Sequence, residues 1–148
     1  MIETPTLQAV RSFLRTVAEG VPPTDEQLAR ALDELVVGYH QAPEGSPADD
    51  ETDPPDSGRP ARYAYYAERF PQLGLYSVAD PLNVPDEKPL VSDAIDDLAD
   101  IASDLEEVIW RSENLGADDA HWHFRRLYTI HWGQHVRELS LYLHTKLW

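Results

Sequence analysis

The stretch from Asp118 to Trp148, DDAHWHFRRLYTIHWGQHVRELSLYLHTKLW, decides the fold. At about 100° per residue, Phe124, Tyr128, Trp132, Val136, Leu139, Tyr142 and Leu143 fall within one arc, the apolar stripe of a core-facing helix. The spacing predicts one long helix over the whole stretch. Three histidines share the arc: His135 near its middle, His131 on its edge and His121 lower on the same side. The opposite side carries Arg126, Arg137 and His144, but also Ile130, Leu141 and Trp148. With so thin a polar face, this helix is expected to be covered on more than one side and to be the most buried of the chain. Gly133 falls mid-helix, where it costs roughly 1 kcal/mol relative to alanine. The close approach of a neighbouring helix or loop would account for it.

Upstream, Ser92 to Asn114 reads as a second long helix, with Ser92 as its N-cap and Leu115-Gly116 at its end. Ala94, Leu98, Ile101, Leu105, Val108 and Ile109 form its apolar face, and Asp93, Asp97, Asp100 and Asp104 run beside that face at steps of four, three and four. Like charges at such spacing repel by a few tenths of a kcal/mol per pair. Water could screen the stripe, or cations or His and Arg side chains could face it.

The N-terminal part supplies an antiparallel helix pair. Leu7, Val10, Phe13, Leu14 and Val17 repeat at helical steps behind Thr4 or Thr6 as N-cap, and Gly20 stops the run. Thr24-Asp25-Glu26-Gln27 is a capping box that opens a helix with Leu28, Leu32, Leu35, Val36 and Tyr39 on one face. Residues 42 to 60, APEGSPADDETDPPDSGRP, are too rich in proline and carboxylates to pack, and are expected to form a flexible acidic loop dispensable for folding. Its acidic part, Asp49 to Asp56, reads as a solvated spacer rather than a partner-binding tail or cation site. Tyr63, Tyr66 and Phe70 mark a short aromatic helix over Ala61 to Phe70. Gly74, Pro81, Pro85 and Pro89 then break up an extended connection that admits a brief strand at Leu75 to Val78. The fold expected is all-α: a single up-and-down-like bundle spanning residues 1 to 148, with four main helices, the short aromatic helix and the acidic loop.

A chain of 148 residues can bury a core without covalent staples, and with no cysteine it has neither disulfides nor thiolate chemistry. Its formal charge of −15, from 27 acidic and 12 basic residues, argues against direct nucleic-acid binding. No basic-then-apolar leader and no apolar run of membrane-spanning length is present, so a soluble cytoplasmic protein without membrane contact is expected.

His131-Trp132-Gly133-Gln134-His135 places two imidazoles four residues apart, spacing that suits a shared metal ion completed by carboxylates of a facing helix. The glutamate that follows the first histidine in the zinc-protease signature is absent. The same residues also suit a structural role, with a core-facing imidazole donating to an aspartate. The candidate polar site is therefore His121, His131 and His135 with Asp97, Asp100 and Asp104. Its candidate metal ligands are His131, His135, Asp97 and Asp104. No motif requires a cofactor, and a divalent metal ion is the one these residues admit. Trp122, Tyr128, Trp132 and Tyr142 are candidates for an aromatic pocket wall, although aromatic residues at helical spacing usually belong to the core.

DDLADIASDLEEVIW followed by DDAHWHFRRLYTIHWGQHVRELSLYLH resembles an uncharacterised family of small bacterial proteins known only as a domain of unknown function, on the HWGxH pentapeptide and the aspartate-rich helix before it. The resemblance singles out Asp97, Asp100, Asp104, Trp122, His131, Trp132, Gly133 and His135, and implies that their two helices face each other. The leading functional expectation is a non-enzymatic protein-binding or regulatory module that meets a protein partner or a second copy of itself. The competing one is a metal-dependent, hydrolase-like enzyme with one of Asp97, Asp100 or Asp104 as ligand or base. A third is an acidic mimic of nucleic acid.

Overall fold

Three of the helices start where a side chain accepts from their free N–H groups. In the computed structural model, which describes residues 2–55, 58–84 and 88–148, helix α1 spans Pro5–Ala18, and Thr4 Oγ1 accepts from Leu7 N at 3.3 Å. Helix α2 spans Asp25–Gln41 behind a complete capping box, Thr24 N donating to Gln27 Oε1 at 2.9 Å and Gln27 N to Thr24 Oγ1 at 3.2 Å. Helix α3, Arg59–Arg69, begins earlier than the expected Ala61 because Pro60 is accommodated in its first turn.

The connection after α3 holds more order than its prolines suggest. Strand β1, Leu75–Val78, pairs antiparallel with β2, Leu90–Asp93, in the register Leu75↔Asp93 to Val78↔Leu90. β2 runs into helix α4, Ala94–Asn114. The N-cap is therefore Asp93 and not Ser92: Asp93 Oδ1 accepts from Ile95 N at 2.9 Å, and its Oδ2 from the Tyr63 hydroxyl at 2.6 Å. An aspartate counted in the carboxylate stripe is thereby used as a cap.

The C-terminal stretch is not one uniform helix. It runs as α5, Ala117–Leu127, then a wide π turn over Tyr128–Trp132, then α6, Gly133–Leu147. The chain is predominantly helical. Helix α1 packs on α2 and α4, and α6 packs on the same two helices, while α3 and α5 lie against α4. Helix α4 buries ten of its 21 residues, while the longer C-terminal stretch buries four in α5, one in the π turn and four in α6, so α4 is the most buried. Ile130, Leu141 and Trp148 stay 58%, 66% and 76% exposed, since α2 and α4 cover the opposite side. Among the described residues no helix is long and apolar enough to cross a membrane.

The start of the acidic loop is docked rather than free. Arg125 Nη1 donates to the Tyr39 and Ala42 carbonyls, both at 3.3 Å, Ser46 N to Asp118 O at 3.1 Å and Ala48 N to Asp119 Oδ1 at 2.8 Å. Backbone groups make these bonds, which is why the polar composition did not reveal them. Gly45, at φ +65°, lies so close to α5 that a Cβ would collide with the Asp118 carbonyl. Gly45→Ala should accordingly cost about 1–3 kcal/mol in chemical denaturation, whereas a Gly-Ser replacement of residues 49–55 should leave the melting temperature unchanged.

Candidate metal centre between α4 and α6

Steps of three and four residues place Asp97, Asp100 and Asp104 along one side of α4, on the edge of its apolar face. Asp97 and Asp104 are buried and Asp100 is half-buried. The π turn and the start of α6 bring His131 and His135 over them, with ring centroids 4.7 Å apart.

The two imidazoles are held in the same way. His135 Nδ1 lies 2.7 Å from Asp97 Oδ1, and His131 Nδ1 lies 2.7 Å from Asp104 Oδ2. The second oxygen of Asp97 accepts from the Tyr76 hydroxyl on β1, and the Tyr76 ring stacks on Tyr142 at 4.8 Å. An ionised carboxylate only accepts hydrogen bonds, so each Nδ1 carries a proton, and whenever a ring is neutral its Nε2 carries the lone pair. Both Nε2 atoms turn to the third aspartate, His135 at 3.3 Å and His131 at 3.8 Å from Asp100 Oδ2. Without a cation among them, three electron-rich atoms would converge. Either an imidazole takes a proton or a metal ion enters.

The geometry is close to what an ion needs. One ligand atom from each of Asp100, His131 and His135 lies within 4.8 Å of the others. A tetrahedral ion with bonds near 2.1 Å sets its ligand atoms roughly 3.4 Å apart, so side-chain rotations would close the shell. Asp97 and Asp104, named as ligands from the sequence, sit on the Nδ1 side instead, as the outer carboxylates that orient metal-binding histidines. Asp100 is instead the carboxylate that both Nε2 atoms face. The His131 side chain is 41% exposed, so the centre opens to solvent.

The remaining candidates lie elsewhere. His121 is buried beside α1, its Nε2 2.9 Å from Thr4 Oγ1 and its Nδ1 without a hydrogen-bond partner. Burial lowers its pKa against the pull of Asp118, which favours the neutral ring. Tyr128 and Trp132 meet edge to face with ring centroids 4.9 Å apart, while Tyr142 stacks on Tyr76. Trp132 is fully buried, stacked on Phe124 at 5.1 Å, with its Nε1 donating to Phe124 O at 3.1 Å. Tyr128 stacks on Tyr39 at 3.7 Å, and Trp122 borders a separate cleft of about 370 Å³. Sequence reasoning missed Tyr76, whose short strand has no helical period, and Asp119. The latter is buried between Arg111 Nη1 at 3.3 Å, His123 Nδ1 at 3.4 Å and the docked loop.

No family model matches this chain, and no curated protein matches it. The crystal structure of protein BF1032 from Bacteroides fragilis is similar at a TM-score of 0.70, over 97% of this chain and 90% of that one, with 15% sequence identity. At that identity the likeness shows the fold alone.

Gly133 makes the wide turn possible. Its N–H donates to the carbonyl of Tyr128, five residues back, and a Cβ there would collide with that carbonyl and press on the Tyr128 ring. The close approach expected from a neighbouring element comes from the same helix. At an ordinary helical position, replacing glycine by alanine gains about 1 kcal/mol. Gly133→Ala should instead lose about 1–3 kcal/mol, read by chemical denaturation.

The charges set a pH dependence. Burial raises the Asp104 pKa from 3.8 to about 6, against the His131 hydrogen bond, and burial with the charge of Asp96 raises Asp100 against His135 and His131. At His135 burial acts downward, but the Asp97 hydrogen bond and the charges of Asp97, Asp100 and Asp96 prevail, and its pKa rises above 6.5. For all three groups the folded state holds the proton more tightly than the unfolded state. Their stabilisation is present at low pH and lost as pH rises, for Asp104 between 3.8 and about 6. Metal-free Asp104→Asn should therefore gain stability relative to the metal-free wild type across that window, as measured by denaturation midpoints.

Proposed function

We propose that this chain holds one divalent transition-metal ion on His131 Nε2, His135 Nε2 and Asp100, and works as a metal-dependent, hydrolase-like enzyme on an up-and-down-like helical bundle. The observation that carries this reading is the convergence of two Nε2 lone pairs on one carboxylate oxygen, at 3.3 and 3.8 Å, while both Nδ1 atoms are tied to other carboxylates at 2.7 Å. Two nitrogens and one oxygen suit zinc or iron(II), and three protein ligands leave a position open for water or substrate. A metal ion there would lower the pKa of its bound water and polarise a carbonyl. Asp97 and Asp104 would fix the tautomer and angle of each imidazole, and Tyr76 would in turn fix Asp97. The protein-binding and nucleic-acid-mimic readings draw on charge and exposed side chains alone, with no comparable constellation. Kinship with the HWGxH family belongs to the same proposal.

Isothermal titration of the metal-free protein with zinc tests this. The expected result is one ion per chain and a raised melting temperature, with binding abolished in His135→Ala and weakened about 10–100-fold in Asp97→Asn. Wild-type protein that takes up no zinc would leave only the proton-bridged network.

A further inference from the structure

The carboxylates around the two histidines exceed what one divalent ion neutralises. A dication bound by Asp100, with Asp97 and Asp104 behind the imidazoles, is over-neutralised by one negative charge. The surroundings do not restore the balance. On α4, Asp96 acts on both Asp100 and His135, and Glu107 acts on Asp104. On α6, Glu138 acts on Tyr76, and Tyr76 itself, on β1, is held in its neutral form by burial and by its hydrogen bond to Asp97. Among the described residues Arg59 of α3 is a cation whose charge reaches Asp100, and it is 75% exposed and 3.4 Å from Asp96.

Building on the metal reading above, we infer that the open coordination position accepts uncharged or cationic ligands and excludes phosphate, carboxylate and other anions. The substrate class is then a neutral or cationic carbonyl compound, such as an amide, and not a phosphoester or nucleic acid. An anion approaching the ion meets the excess negative charge at short range, in a partly buried site where salt screens weakly. One such charge about 5 Å away changes affinity on the order of tenfold or more.

The test uses the cobalt(II)-loaded full chain, whose visible absorption reports the coordination shell, at matched ionic strength. Cobalt uptake is established first by the appearance of that band. Imidazole, a neutral ligand, is then titrated in parallel with azide and with inorganic phosphate. The inference expects imidazole to shift the band while both anions leave it unchanged at the same concentrations. It also expects Asp104→Asn, whose amide oxygen can still accept from His131 Nδ1, to bind azide at least about tenfold more tightly than the wild type. A wild-type band shifted as readily by azide or phosphate as by imidazole overturns the inference and leaves the metal reading standing. A band that no ligand shifts overturns it too, because no position is then open. If no cobalt band forms, the metal reading fails and the inference fails with it.

Discussion

Two buried aspartates on α4 constrain everything around them. A buried carboxylate left without a partner costs several kcal/mol, so Asp97 and Asp104 demand donors from whatever packs above them. The π turn and the start of α6 supply one imidazole for each, and β1 supplies the Tyr76 hydroxyl for the second oxygen of Asp97. The rotation of α6 against α4, the docking of the short sheet and the side-by-side placement of the histidines all follow from satisfying those oxygens. Because both Nδ1 atoms are occupied in doing so, the Nε2 atoms are left facing Asp100.

The wide turn connects backbone geometry to this arrangement. A π turn inserts an extra residue into a helix and redirects the side chains on either side of it, and such turns concentrate at functional sites. Here it contains His131 and ends at Gly133, while Trp132 between them is buried with its indole N–H bonded to Phe124 O.

Two helix ends, those of α1 and α2, are closed by arginine. Arg69 donates to Val17 O, Glu19 O and Gly20 O after α1, and Arg125 donates to Tyr39 O and Ala42 O after α2. A cation there meets the free carbonyls and the negative end of the helix dipole. In a chain of formal charge −15, these guanidinium groups are directed to backbone oxygens rather than carboxylates, and Arg125 also holds the start of the acidic loop in place.

Local chemistry was legible in the sequence by itself: the Thr24 capping box, the apolar faces of α1, α2 and α4, the core positions Phe124, Trp132, Val136, Leu139 and Leu143, and the presence of two imidazoles beside an aspartate stripe. These depend on neighbours three or four residues away, and the sequence prints those neighbours. What depends on backbone groups from distant segments was not legible. The docking of residues 42–48, the pairing of β2 with β1 and the capping role of Asp93 each use main-chain groups as partners, and those groups carry no side-chain pattern. The roles within the stripe were likewise decided only in three dimensions. Spacing puts Asp97, Asp100 and Asp104 on one edge but cannot say which faces an Nδ1 and which an Nε2. That depends on the azimuth of α6, and the tertiary structure sets it through a turn whose only trace in the sequence is a glycine in the middle of a helix.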